Sequence, residues 1–244
     1  MVSSSGANLK KKNKNEDHVN KAYLGIRQML FHGELSSGQK ISPRDIADHL
    51  QMSPTPVIQA LKFLEFKDLV RHVSKRGYYT QPLNLNEVEE IYELRELLEV
   101  ALLEKTIRNL EQTGIDKLRK AFDDYLKAAE KVYNTKIVSE AHLTDELMKD
   151  MDFHLTLASL SGTTLYRNML RNLFDLFYLK YRGRVLFLAR KGNVDVEHKK
   201  IFESVLAKDI KKSQTALSKH IRNVKKHVLT GLNHYIKEKQ KTSF

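Results

Sequence analysis

Apolar positions recur at spacings of three and four from residue 19 to residue 66 and again from residue 87 almost to the end; between 70 and 82 the period changes. The first predicted helix, residues 19–33, turns Ala22, Ile26, Met29 and Leu30 inward. Gly33, free to take a left-handed backbone, ends it. Leu35, Gly38 and Ile41 make a short connection to a second helix, PRDIADHL. Ser42 is placed to cap that helix, and Pro43 falls at its first position, where a missing N–H costs nothing. Gln51 and Met52 turn the chain into a third helix, for which Ser53 is the expected hydroxyl cap. Pro54 and Pro56 lie within its first turn, whose N–H groups have no intrahelical partner. Val57, Ala60, Leu61 and Leu64 are its buried stripe, and Thr55, Ile58, Gln59 and Lys62 lie off it. After Leu69, VRHV, SKRG and YYTQ read as a strand, a turn containing Gly77 and a second strand.

Residues 19–82 therefore predict a winged helix-turn-helix with a two-stranded wing, a DNA-binding head whose third helix enters the major groove. Lys75 and Arg76 sit at the wing tip, within reach of phosphates or the minor groove. Residues 83–86 are a linker, and Asn86 with Glu89 resembles a capping box. From 87 to 244 the pattern is helical throughout. One helix carries Val88, Ile91, Leu94, Leu98, Ala101 and Leu102; Gly114 punctuates; the next carries Leu118, Ala121, Phe122, Tyr125, Leu126, Ala129 and Val132. Four more follow: Ser139 to Leu160, Leu165 to Leu188, Val196 to Ala207 and Asp209 to Lys237. The fold class is mainly α: a small head followed by an all-α bundle.

Composition narrows the function. There is no Cys, which removes disulfides and thiolate metal sites and fits a cytoplasmic protein. No apolar run approaches a membrane span, and residues 1–18 lack the apolar core of a signal peptide. Those residues are expected to be a disordered basic arm. The net charge of +12 favours polyanion partners, though it is spread along the chain. Residues 199–244 alone hold twelve Lys or Arg against three acids, which a solvated helix face explains.

Candidate chemistry lies in the bundle. Asp150 and His154 are four apart, about 40° around one helix face. His198 and His220 stand ten and twelve residues from a turn near Lys208 and would meet across an antiparallel helix pair. Three imidazoles and a carboxylate suit a divalent transition metal, Zn²⁺, Ni²⁺, Mn²⁺ or Fe²⁺, with positions left for water or a ligand. Ten His are present, and a lone helical His is most often satisfied or exposed, so spacing alone is only suggestive. His142 and Glu146 extend the same face, whereas Asp152 points the other way.

The head resembles the N-terminal domain of GntR-type bacterial transcription regulators. The resemblance rests on Gly33-Glu34-Leu35 with Gly38, on DIADHL, on Ser53-x-Thr55-Pro56-Val57 with Ala60-Leu61, and on the DLV and RGYY segments of the wing. The bundle is similar to the metal-containing FCD ligand-binding domain of the FadR branch. Here the D-x-x-F-H motif stands as Asp150, Phe153 and His154, and the E-H…H pair as Glu197, His198 and His220. The resemblance implies a ligand-responsive regulator, a repressor in sense, that binds a double-stranded DNA operator as a homodimer. It implies a metal on Asp150, His154, His198 and His220, and a small organic acid effector held near it. Arg95 with Glu99 also fits the family: Arg95 is either a grip for the acid or an ion-pair partner of Glu99. Tyr178, Tyr181, Arg182 and Arg184 are further pocket candidates. The chain departs from the family at Pro54 and Ile58-Gln59, where Arg and Arg-Glu are usual, and at Thr163-Thr164, where Asn-Pro is common. Base reading then falls to Thr55, Gln59 and Lys62, and phosphate contact to Arg44, Lys75 and Arg76, with Ser53 a further DNA-binding candidate. Two alternatives stay open: a metal-dependent enzyme acting on small acids, and a metal-free regulator responding to an acyl chain or acyl-CoA.

Overall fold

The computed structural model describes residues 5–135, 138–185 and 194–241, with side chains over 16–135, 138–181 and 194–238. The chain divides into two compact units. The first is residues 1–83 with the stretch 176–183; the second is 84–175 with 184–244.

In the first unit α1 (Ser5–Phe31) packs on α3 (Pro54–Phe66), and α2 (Pro43–His49) packs on α3 as well. The helices close over Ala22, Ile26, Leu30, Ile46, Ala47, Val57, Ala60, Leu61 and Leu64, so the predicted stripes are the observed core. Burying Leu61 or Leu64 completely contributes roughly 2 kcal/mol each. Ser42 caps α2 by accepting from the Asp45 N–H. Ser53 occupies the N-cap position of α3 but makes no side-chain cap bond, so its hydroxyl remains available at the exposed helix start. The wing is β2 (Val70–Val73) paired antiparallel with β3 (Gly77–Thr80), in register Val70 with Thr80 and Val73 with Gly77. A third strand, β1 (Lys40–Ile41), adds to the other edge of β3, giving the order β1-β3-β2. Thr80 fixes it: the Gln39 N–H donates to its Oγ1 at 2.9 Å, and the Thr80 N–H donates to the Gln39 carbonyl at 2.9 Å.

The arm expected to be disordered is helical over its described residues, 5–18. Helix α1 begins at Ser5, because the polar segment after Gly6 contains no further Gly or Pro and extends a helix already nucleated by the packed turns beyond it. The linker is also shorter than expected. Asn84, not Asn86, caps α4 (Leu85–Arg108), its Oδ1 accepting from the Asn86 and Glu87 N–H groups.

The described elements of the second unit are all helices: α4, α5 (Gln112–Asn134), α6 (Glu140–Leu160), α7 (Thr164–Val185) outside its stretch 176–183, α8 (Val194–Leu206) and α9 (Ile210–Lys241). Helix α4 packs on α6 and α9, α5 on α6 and α8, and α8 on α9. The inward face of α4 differs from the predicted stripe. Tyr92, Arg95, Glu99 and Leu103 are buried beside Val88, Ile91 and Leu102, while Leu94 and Leu97 are 48% and 68% exposed and Ala101 faces outward. Gly114 lies inside the first turn of α5, where a Cβ would meet Leu160 Cδ2 at 3.1 Å; it permits close approach more than it breaks the chain. The Ser161-Gly162-Thr163 turn holds despite the missing Pro: Gly162 takes φ +73°, and Asn109 Nδ2 donates to the Ser161 carbonyl at 3.1 Å. Among the described residues no helix is long and apolar enough to cross a membrane.

The α8–α9 turn falls where the spacing placed it, with Lys208 at φ 54°. A left-handed non-Gly residue costs about 1 kcal/mol. Lys208→Gly is therefore expected to raise the melting temperature of the protein by about 2–4 °C, as read by thermal unfolding.

Candidate metal centre and DNA-contacting face

Helices α6, α8 and α9 each deliver part of one cluster. Helix α6 carries Asp150 and His154 one turn apart; α8 carries His198; α9 carries His220. One ligand atom from each lies within 4.8 Å of all the others. His198 Nε2 is 3.1 Å from Asp150 Oδ1 and 3.3 Å from His154 Nε2. The His220 ring lies 4.4 Å from that of His198 and 5.3 Å from that of His154. All three imidazoles are 2% exposed or less.

The surroundings hold these rings in fixed orientations. Phe153 meets His198 edge-on, and Tyr125 packs on the other side of His198 while donating its OH to Asp195 at 2.8 Å. His154 Nδ1 bonds Glu99 Oε2 at 2.5 Å, and Arg95 Nε donates to the other Glu99 oxygen at 3.0 Å. His220 Nδ1 bonds Glu197 Oε2 at 3.0 Å, and Asn223 Nδ2 donates to Glu197 Oε1 at 2.8 Å. A carboxylate behind Nδ1 fixes the proton there and turns the Nε2 lone pair toward the cluster, the arrangement that orients metal-ligating histidines. Among the described residues His198 has no such support, and its Nδ1 is buried without a partner.

Electrostatics follow the same geometry. Burial pushes the His220 imidazole down, neighbouring His198 adds to this, and it falls to about 3 despite Glu197. Burial lowers His198 too, against the pull of Asp150. Burial alone would raise Asp150, but the His198 bond and the three imidazoles hold it well below the usual carboxylate range. Burial likewise opposes ionisation of Glu99, yet His154 and Arg95 lower it to about 2. The ring nitrogens of His154, His198 and His220 and the Asp150 carboxylate converge on one point. That donor set fits a divalent cation.

The other predicted bundle residues are placed as follows. Arg95 is 3% exposed, bonded to Glu99, with its guanidinium carbon 4.2 Å from the Phe174 ring centre and 5.2 Å from that of Tyr92. Tyr178 is buried on α7 with its ring against Phe177. Arg182 and Arg184 belong to α7, but their side chains lie outside the described residues. Glu146 is half-buried, and burial together with Asp150 and Asp195 raises its carboxyl to about 7. The partnership of Glu99 with His154 is absent from the sequence reading, which paired Glu99 only with Arg95. A contact across 55 positions leaves no periodic signal.

On the head, Arg44, Ser53, Thr55, Lys62, Lys75 and Arg76 are exposed and Gln59 is half-buried. None of their side chains bonds another side chain among the described residues. The same face of α3 continues into Phe63 and Phe66, 57% and 91% exposed. The polar candidates on α3 thus lie between Thr55 and Lys62, ahead of these two aromatics.

A winged helix-turn-helix head and a helical bundle with a buried His/Asp cluster define a DNA-binding transcription regulator. Residues 19–79 match the bacterial regulatory proteins of the gntR family and residues 90–223 match the FCD domain. The chain belongs to the GntR-type regulators that carry an FCD domain, and it is not an enzyme. It is 26% identical over 220 residues to the uncharacterized HTH-type transcriptional regulator YdhC of Bacillus subtilis, covering 88% of this chain and 91% of that one. It is 23% identical to the HTH-type transcriptional regulator LutR of the same species, over 83% of this chain and 97% of LutR. Its fold is similar to the solved structure of E. coli McbR/YncC, with a TM-score of 0.69 at 16% identity, covering 89% of this chain and 98% of that one.

Glu99→Gln keeps the shape but removes the charge behind His154. It is expected to weaken Zn²⁺ binding about 10- to 100-fold, measured by competition with a chromophoric chelator. An unchanged affinity would show that Glu99 does not support the site.

Proposed function

We propose that this protein is a metal-dependent, ligand-controlled repressor. A divalent transition metal, Zn²⁺, Ni²⁺, Mn²⁺ or Fe²⁺, is held by Asp150, His154, His198 and His220, and a small organic acid binds beside it. The observation that carries this reading is the convergence of four donor atoms within 4.8 Å, on three buried imidazoles and one half-buried carboxylate. Two of the three imidazoles are oriented by carboxylates that accept from their far nitrogens. When bound, such an ion offers open coordination positions to a carboxylate ligand. The chain's own residues do the rest: Phe153, Phe174 and Tyr125 exclude water around the imidazoles, and Arg95 holds Glu99. The charged, polar character of the cluster disfavours an acyl chain as the ligand.

Arg95 is assigned here to positioning Glu99 rather than to gripping the effector, because Glu99 already engages its Nε. Tyr178 and Arg182 remain proposed effector contacts. On the head, Ser53, Thr55, Gln59 and Lys62 read bases, and Arg44, Lys75 and Arg76 contact phosphates. Two heads of a homodimer would meet successive major grooves of a near-palindromic operator. The exposed apolar residues Leu94 and Leu97 on α4, and Leu165, Tyr166 and Met169 on α7, support pairing of two copies. The domains are proposed as the head through residue 82, a linker at 83, and the bundle from Asn84 onward. The protein acts in the cytoplasm, where its DNA is. Control requires only that the acid bind the DNA-competent and DNA-incompetent states unequally.

The test is a gel-shift titration of the full chain on the DNA upstream of its own gene, with metal, with chelator, and with a panel of small organic acids. A complex that survives excess unrelated DNA, and that one of the acids releases, is expected. Lys75→Ala with Arg76→Ala should weaken it and reduce the salt slope by about 2. No sequence-specific complex, with or without metal, would sink the reading; strengthening by the acid would make the protein an activator instead.

A further inference from the structure

The face of α6 turned away from the proposed metal ligands borders a second, separate cavity. It holds about 330 Å³ between α5, α6 and α7. Lys149, Asp152, Thr156 and Ser159 reach it from α6, and they lie about 120° to 180° around the helix from the direction shared by Asp150 and His154. Lys117, Lys120 and Asp124 reach it from α5, and Arg167 and Arg171 from α7.

The charges here do not cancel. Lys120 pairs with Asp124 at 2.6 Å and Lys149 with Asp152 at 3.9 Å. Lys117, Arg167 and Arg171 have no carboxylate partner among the described residues. Five cations against two acids leave an excess of three on one cavity. Arg167 and Arg171 are half-buried, one helical turn apart on α7, so both guanidinium groups can face the same point. A half-buried guanidinium without an anion loses hydration and receives nothing in return, unlike the solvated lysines of the outer surface. Leu155 and Ala121 also line the cavity, the first buried and the second small.

We propose that this cavity is a binding site for a small phosphorylated metabolite, distinct from the metal centre. Two forked guanidinium groups match the oxygens of a phosphoryl dianion, with Lys117 as a further positive charge and the Thr156 hydroxyl as a neutral donor. A dianion matches most of the excess charge. The cavity volume accommodates a phosphoryl group with a small organic body and is too small for a duplex backbone to enter. Because the same helix presents Asp150 and His154 on its other face, occupancy braces the helix that carries half of the proposed metal ligands.

The test is a phosphorus NMR titration of inorganic phosphate and of methyl phosphate into the full-length, metal-loaded protein, at constant ionic strength with chloride and sulfate controls. Saturable line broadening is expected. The double variant Arg167→Gln/Arg171→Gln should raise the half-saturation concentration at least tenfold, with unchanged circular dichroism and unchanged metal content. Arg171→Lys, which keeps charge but loses the fork, should fall between. His198→Ala, which alters the metal centre alone, should leave phosphate binding in place; loss there would assign the phosphate to the metal and overturn the proposal. Non-saturating broadening, or equal binding by the double variant, overturns it as well. A double variant that binds phosphate normally but loses affinity for random-sequence DNA would instead assign the two arginines to the DNA backbone.

Discussion

The buried chain Arg95–Glu99–His154 is the constraint on which the bundle depends. Three ionisable groups lie in the core, each at most 4% exposed, and each is tolerable only because the next one bonds it. Removing any member leaves an unpaired buried charge, worth about 3–5 kcal/mol of destabilisation in comparable pairs. The chain therefore fixes the rotation of α4 against α6 to within a hydrogen bond's tolerance. It also explains why Leu94 and Ala101 face outward: with Arg95 and Glu99 turned in, these two positions lie about 100° or more away around the helix.

From that anchor the other helices fall into place. Thr106 donates to the Leu157 carbonyl at 2.8 Å, a second tie between α4 and α6. Glu96 accepts from Ser218 at 2.7 Å and from Arg222 at 2.8 Å, which binds α4 to α9 and sets the height at which His220 enters the cluster. The aromatic stack of Phe122 on Phe202, 4.6 Å between ring centres, holds α5 against α8 on the side of His198. The cluster is a meeting point of helices that are each fixed elsewhere, which is what a preorganised site requires.

Much of this was legible in the sequence, for reasons that differ by element. The head was readable because the Ser42 cap, the left-handed Gly33, Gly38 and Gly77 and a change from helical to strand periodicity are local signals. Asp150 and His154 shared a face by helix geometry alone, and the turn at Lys208 brought His198 opposite His220. What could not be read depended on long-range contacts. Strand β1 is two residues long and exists because Thr80 holds it. The inward face of α4 was not legible because Leu94 and Ala101 look like core until the partner of Glu99 is known. The cap of α4 moved from Asn86 to Asn84, since both are competent cap residues and only the packing of the first turn chooses between them. The cavity behind α6 gave no sequence signal, because its cations come from three helices at no fixed spacing.

The central claim is that the His/Asp cluster is a metal centre supporting regulation, and metal content tests it most directly. Elemental analysis of full-length protein purified without added metal or chelator is predicted to find about one divalent transition metal per chain, lost when His198 is replaced by Ala in a variant of unchanged helical content. Protein that carries no metal, and that takes up none of Zn²⁺, Ni²⁺, Mn²⁺ or Fe²⁺ on dialysis, would contradict the account.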